Sequence, residues 1–399
     1  MSTQSLKPGW KMVEFGDIAQ NVAVRVDPAE VKTDVYVGLE HLDPSTIHLR
    51  KWGHPSDVTG QKLVFKKGDV IFGRRRAYQR KLAVAEFDGI CSAHAMVVRA
   101  KSKMILPEFL PFFLQSDMFM ERAIEISVGS LSPTINWKTL RVQEFPLPPL
   151  DEQKHIAEIL WAADEAVEKL NETLLEAQKA EYSLAHNLIP VSQINIFTGK
   201  LKQPIPPDFK IVQGSYLFTA QSGNGEPNPE KDSVGDSLFF KVADFNRNAE
   251  ETFLSEAEVT FSKEENLSIR LFPPGTVIFP KRGATIFLNK VGQLRRAAAL
   301  DPNLMALVPK ESKCVSGYLY WVIKLIRLHR GSETTSLPQL NHKHLMPLWL
   351  PTPSLDKQKQ IVGLLDSMRE QKNKVQTHTG KCVEMKKKLM EKYIGAAHV

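Results

Sequence analysis

Apolar residues return every seven positions along two long stretches of the chain. In the first, Ile156, Ala163, Leu170, Ala177 and Leu184 form one seam, and Leu160, Val167, Leu174, Glu181 and Leu188 form the next. In the second, Ile361, Met368, Val375, Cys382 and Leu389 are spaced by seven, beside a largely polar companion seam of Leu365, Lys372, Thr379 and Lys386. Heptad spacing sustained over five repeats predicts long helices that want a partner helix. The first is expected over residues 151–189, roughly 58 Å at 1.5 Å per residue. Each begins after a proline-rich stop, PLPPL ending at Leu150 and PLWLPTP ending at Pro353. Proline suits a first helical turn, and Asp151 or Asp356 can cap or charge that end. Such seams can also dock on their own globular domain, but these heptads outrun what one small domain needs. Elsewhere the pattern changes to short β-branched and aromatic runs broken by Gly, Pro and Asn.

The two helices belong to an internal repeat. Leu150, Asp151, Gln153, Lys154, Ile156 and Leu160 recur 205 residues later as Leu355, Asp356, Gln358, Lys359, Ile361 and Leu365. The same offset carries Pro133, Asn136, Lys138 and Leu140 onto Pro338, Asn341, Lys343 and Leu345. GDVIFGRR (68–75) matches GTVIFPKR (275–282) at an offset of 207, and PGWKMVEFGDI (8–18) faintly echoes PDFKIVQGSYL (207–217). Each half therefore has one plan: about 145 residues of strand-rich sequence, a proline stop and a long helix. Each helix is expected to end at an aromatic, one residue and a glycine, in FTGKL (197–201) and KYIGAA (392–397), with the glycine as C-cap. The reading gives an α/β (α+β) chain of two similar globular domains, joined by two long antiparallel helices in a coiled coil. Its boundaries are 1–150 for the first domain, 151–203 for the central helix and linker, 204–353 for the second domain and 354–399 for the last helix.

Composition narrows the class. With 399 residues, 42% hydrophobic and 24% charged, the chain is long enough for two or three packed domains and is neither disordered nor fibrous. A net charge of +7 admits a polyanionic partner without requiring one. Three cysteines far apart (Cys91, Cys314, Cys382) suggest neither a disulfide scaffold nor a cysteine zinc site. The first residues lack a signal-type apolar core, and no run reaches the ~18 apolar residues of a membrane span; Tyr318–Ile323 comes nearest before Lys324 ends it. A cytoplasmic protein without a membrane partner is expected.

No phosphate loop, dinucleotide fingerprint, HExxH or GxSxG is present, nor the [DN]PP[FYW] tetrapeptide that an amino-methyltransferase needs. His41, His48 and His54, or His342 and His344, lack helical metal spacing and read as surface or turn histidines. The triplets Glu30-Val-Lys32 and Glu152-Gln-Lys154 are of a type common by chance. No catalytic residue and no metal ligand is assigned. The basic clusters are more informative. Arg74, Arg75, Arg76, Arg80 and Lys81 surround Tyr78 and Gln79 after the expected strand DVIF, so they fall at a strand end and loop. Arginine pairs with phosphates and bidentately with guanine, and glutamine reads adenine. The second half offers Lys281 and Arg282, with Arg295 and Arg296 further along. A lone charge run is usually a solvated face, but here the runs recur at matching places. A third repeated element, GSLSPTINWKTL (129–140) and GSETTSLPQLNHKHL (331–345), brings Asn136, Lys138, Asn341 and Lys343, which suit phosphates or base edges. It fits equally a Ser/Thr-rich turn capping a short helix.

The pair LPPLDEQKHIAEIL and PSLDKQKQIVGLL, each opening a long helix after a domain of about 145 residues, resembles the specificity subunit of type I restriction-modification systems. GDVIFGRRRAYQRKLAVAEFDGICS (68–92), INWKTL and FTGKL are similar to recurrent patterns of that family. In the second copy Lys357 stands where the family usually has Glu, and KYIGAA matches FTGK poorly. The resemblance implies a non-catalytic subunit whose two domains each read half of a split sequence in double-stranded DNA. It implies an antiparallel helical spacer, with Ile156, Leu160, Ala163, Val167, Leu170, Leu174, Ile361, Leu365, Met368, Val375 and Leu389 in the helix and partner contacts. It further implies two docked methyltransferase subunits, joined by restriction (translocase) subunits. S-adenosylmethionine, ATP and Mg would serve those partners, with no cofactor on this chain. A coiled-coil scaffold that does not touch DNA, or a DNA-binding nuclease, are the alternatives.

Overall fold

The computed structural model describes residues 6–101, 103–227, 235–247, 252–264, 266–328 and 339–395. The chain separates into two compact units, and the division falls inside both long helices. One unit is residues 1–172 with 376–399, and the other is 173–375.

The strands described in the first unit are β1 (Lys11–Glu14), β2 (Ala19–Asn21), β3 (Arg25–Val26), β4 (Tyr36–Val37), β5 (Lys62–Phe65), β6 (Val70–Phe72), β7 (Leu82–Val84), β8 (Gly89–Cys91), β9 (Met96–Ala100) and β10 (Glu144–Leu147). They form sheets of order β2-β9-β6-β7 and β3-β5-β8-β4, with β1 and β10 as a separate antiparallel pair. The triplet VIF explains itself here. Val70 and Phe72 enter one core and Ile71 another, so β6 is buried on both faces and alternation disappears. The larger core is an aromatic cluster in which Phe119 packs, rings tilted, against Phe15 and Phe145, ring centroids 5.1 and 5.2 Å apart.

The second unit repeats this plan. Its strands are β11 (Lys210–Gln213), β12 (Phe218–Ser222), β13 (Ser237–Phe240), β14 (Phe253–Leu254), β15 (Val259–Phe261), β16 (Val277–Pro280), β17 (Gly292–Leu294), β18 (Ala298–Leu300), β19 (Leu304–Pro309) and β20 (Trp349–Thr352). The order β12-β19-β16-β17 reproduces β2-β9-β6-β7, with β14 added at its edge. Val277 and Phe279 face one core and Ile278 another. The faint echo near each start is structural: β1 pairs with β10 as β11 pairs with β20.

The central helix spans Leu150–Leu188, and the C-terminal helix spans Leu355–Met390 before a π-helical turn, Glu391–Gly395. The repeated glutamine of LDxQK locks each helix start to its domain. Gln153 is 1% exposed, donates to the carbonyls of Pro148 and Met104 at 2.9 and 3.0 Å, and accepts from Leu106 N–H at 2.9 Å. Gln358 donates to Pro353 and Lys313 and accepts from Val315 in the same way. Where the second copy has Lys357 for Glu, its surroundings changed too. Trp10 Nε1 donates to Glu152 in the first copy, while Lys357 lies 4.0 Å from the Asp208 carboxylate in the second.

Among the heptad residues, Ile156, Leu160, Val167, Ile361 and Leu365 are buried, and Ala163, Leu170, Leu174, Met368, Val375 and Leu389 are half-buried. Ile156 and Leu160 join the core of the first unit together with Ile394; Ile361 and Leu365 join that of the second with Ala185 and Ile189. The expected C-cap at Gly199 is a correction. The central helix stops at Leu188 and Pro190 follows, because proline cannot continue it. Gly199 instead takes φ +71° in a turn against Trp349, whose ring leaves no room for a Cβ. No helix among the described residues is long and apolar enough to cross a membrane.

Candidate nucleic-acid interface

The loop between β6 and β7 carries the first basic cluster. Two arginines in left-handed conformation, Arg76 (φ 56°) and Arg80 (φ 51°), bracket a single 3-10 turn at Ala77–Gln79. Non-glycine residues rarely adopt that region, so the loop must be held from outside. Three of its cations do the holding. Arg74 donates to Ala93 O at 3.2 Å, Arg80 pairs with the Asp117 carboxylate, and Lys81 donates to Leu39 O at 2.9 Å. Ala77 is buried beneath, Gln79 is half-buried, and Arg75, Arg76 and Tyr78 are exposed. Arg75 and Arg76 have no side-chain partner among the described residues.

A second flagged segment supports this loop. Arg76 N–H donates to Pro133 O at 2.7 Å, Ile135 N–H donates to Arg74 O at 2.9 Å, and Arg75 bridges Thr134. The GSLSPTIN loop and the RRRAY loop thus form one ledge. Asn136 and Lys138 stand exposed beside it, at the start of the short helix Trp137–Leu140.

The second unit builds the same ledge from β16 to β17. Leu340 N–H donates to Lys281 O at 2.9 Å, and Arg282 bridges Gln339. Arg282 is exposed, as Arg75 is, and Lys343 is exposed near half-buried Asn341. A 3-10 turn, Ala284–Leu288, follows and exposes Phe287 and Leu288 where the first loop exposes Tyr78. Residues 331–338 of the matching Ser/Thr-rich segment lie outside the described residues.

Two expectations need correction. Lys281 is not a surface cation: it is 6% exposed and donates to Ser222 Oγ on β12. Burial, with Arg282 adjacent, pushes its ammonium pKa below the usual 10.5. Arg295 and Arg296 are exposed but do not join Arg282. Because β16 and β17 run antiparallel with Val277 opposite Gln293, residues 295–296 emerge at the other end of the pair.

Sequence reasoning also missed a polar junction against the central helix. Asp164, 2% exposed, receives His48 Nε2 at 2.7 Å and the Lys386 ammonium of the C-terminal helix. His48 Nδ1 meets Glu86 at 2.7 Å, and Arg50 bridges Glu86 and Glu168. The bond to Asp164 raises the His48 pKa above 6.5 despite burial, and the bond to Glu86 adds to it. Burial opposes ionisation of Asp164, but its bonds from His48 and Lys386 prevail and hold it below the usual value. In the second unit Glu181, 6% exposed, receives Arg369 Nε at 3.2 Å and Lys372 Nζ at 2.6 Å. Arg369 also lies over the rings of Tyr320 and Trp321. Two lysines of the seam that reads as polar in sequence are therefore ion-paired to the central helix, Lys372 half-buried and Lys386 buried. Its signal was the recurrence of cations at heptad positions facing acids on the other helix. Among the described residues no group of three or more His, Cys, Asp or Glu is placed to hold a metal ion.

A family model described as the type I restriction modification DNA specificity domain matches residues 8–178. That span contains the first ledge, the glutamine lock and the opening of the central helix. Over those residues the chain is similar to type I restriction-modification DNA specificity domains. The type I restriction enzyme EcoDI specificity subunit of Escherichia coli is 29% identical over 177 residues, 41% of this chain and 38% of that one. The match thus spans well under half of that relative. The MjaVIII specificity subunit of Methanocaldococcus jannaschii is 23% identical over 386 residues, 90% of this chain and 86% of that one. A solved chain from a study of complex assembly and conformational transition of the type I restriction-modification system aligns with a TM-score of 0.57. Its identity is 22%, and 98% of each chain is covered. The fold of that solved chain is therefore shared along both halves.

Proposed function

We propose that this chain selects the DNA sequence for a type I restriction-modification complex. Each specificity domain reads one part of a split target in double-stranded DNA, and the paired long helices fix the gap between the parts. Two methyltransferase subunits dock on the repeated helix ends, and restriction (translocase) subunits join them. S-adenosylmethionine, ATP and Mg serve those partners; this chain contributes recognition and no bond-making step. It acts in the cytoplasm, where the DNA is.

One observation carries the reading. An exposed arginine sits at the same place on the same ledge in both halves: Arg75 bridged to Thr134, and Arg282 bridged to Gln339. A duplicated cation held by backbone pairing, beside exposed polar residues, suits phosphate and base-edge contact. Relatives of both halves are specificity subunits by name, which supports the same reading.

The test is co-expression with the methyltransferase subunit of the same system, followed by genome-wide mapping of methylated adenine. A two-part motif of fixed gap, lost when this chain is omitted, is expected. Arg75→Ala and Arg282→Ala should each affect one part of that motif. Copurification of the partner with no motif at all would reject recognition in favour of a scaffold.

A further inference from the structure

The buried ion pairs of the two long helices carry a pattern that the repeat makes visible. Asp164 and Arg369 are 205 residues apart, and so are Glu181 and Lys386. These are equivalent positions in the two copies, yet the signs are opposite. The central helix has an acid at both positions, and the C-terminal helix has a cation at both. In the first unit Asp164 meets Lys386; in the second Glu181 meets Arg369, with Lys372 beside it. The two contacts are thus one contact repeated, with the acid always on the central helix.

Duplicated helices ordinarily retain the ability to pair with themselves. In this register two central helices from two chains would set Asp164 against Glu181, carboxylate on carboxylate, twice. Two C-terminal helices would set Arg369 against Lys386. All four positions are under a tenth exposed. Like charges there lose both water and their counter-ion, the costliest arrangement for a buried charge. The apolar positions at the helix starts offer no such discrimination, since Ile156 and Leu160 recur as Ile361 and Leu365.

We infer that these four charges are a pairing code: they direct the central helix onto the C-terminal helix and refuse like-with-like pairing between the halves of two chains. The inference rests on the helix contacts alone and stands whether or not the chain reads DNA. It assigns to Asp164, Glu181, Arg369 and Lys386 the selection of the helical partner rather than the strength of pairing.

The test uses the full chain with a protease site inserted between the exposed residues Pro206 and Pro207. After cleavage, two differently tagged preparations are mixed, left to exchange, and read by native mass spectrometry. The wild-type chain should give only mixed pairs, one first half with one second half. The triple variant Glu181→Lys, Arg369→Glu, Lys372→Glu keeps opposite charges facing within the chain, but also places Asp164 opposite a cation in like-with-like pairs. Its mixed pairs should fall toward about half, the share for pairing without preference. The mirror variant Asp164→Lys, Lys386→Asp should behave likewise, which guards against misfolding of either one. Glu181→Lys alone should lower the unfolding midpoint, with recovery in the triple variant. Like-with-like pairs from the wild-type chain, or exclusively mixed pairs from both swapped variants, would overturn the code.

Discussion

Replacing Gln153 by leucine removes a single neutral side chain, yet the structure predicts a large effect. Leucine has similar bulk, so the loss of packing is small. What is lost is satisfaction: Leu106 N–H and the carbonyls of Met104 and Pro148 lose a partner where the amide was 1% exposed. An orphaned buried group costs about 1–3 kcal/mol. Taking the N–H in full and the two carbonyls at the low end gives about 3–5 kcal/mol. For units of this size 1 kcal/mol moves the midpoint by roughly 2–4 °C, so a drop of about 10 °C is expected in the transition of the first unit. Gln358→Leu should do the same to the second unit. Gln153→Glu should be worse at neutral pH, because a carboxylate oxygen would then face two carbonyl oxygens. Calorimetry of these variants beside Lys154→Ala, at an exposed neighbouring position, is the assay. A loss under about 1 kcal/mol for Gln153→Leu would show that the repeated glutamine does not lock the helix start.

The remaining expectations concern the ledges and the His48 junction. Arg75→Ala should cost about 1–3 kcal/mol and relax one target position if Arg75 reads a base. If it holds a phosphate, all sequences should weaken alike and the salt slope flatten by about one unit; unchanged binding of the assembled methyltransferase would refute both. Lys281→Ala should instead lower thermal stability and leave the salt slope alone, since Lys281 is buried against Ser222. His48→Gln should cost stability in a pH-dependent way. A raised histidine pKa means that the ionic contribution is complete below about pH 6.5 and fades as pH climbs through the folded value. The gap in midpoint between wild type and His48→Gln should therefore shrink from about pH 6 to about pH 9; a constant gap would mean that the imidazole is not charged there.

The helices were legible in the sequence because their signals are local. Proline stops, an acidic first turn and heptad spacing place the central helix at 151–189, within a residue of Leu150–Leu188 at each end. The basic loops were legible as segments but not as surfaces. Lys281 and Arg282 are adjacent cations after the same strand, and only the position of Ser222 on β12 decides that one is buried and the other exposed. Arg295 and Arg296 were separated from Arg282 by strand direction, which no composition reveals. His48 and Asp164 lie 116 residues apart, so their contact exists only in the fold. The polar companion seam was misleading for a related reason: a lysine at a heptad position looks like surface until its acid is found on another helix.

The first ledge divides its cations by task. Arg74, Arg80 and Lys81 spend their side chains on carbonyls and a carboxylate, and backbone bonds from residues 133–135 supply the rest of the support. The loop shape is therefore independent of what Arg75 and Tyr78 present outward. Those two sites behave as a replaceable tip on a fixed mount: new side chains there alter what is touched without refolding the loop. Arg76 shares the exposure but not the liberty. At φ 56° it admits Gly, Asn or Asp with ease and resists β-branched residues. Diversification of this surface should accordingly run freely at 75 and 78, and within a narrow palette at 76.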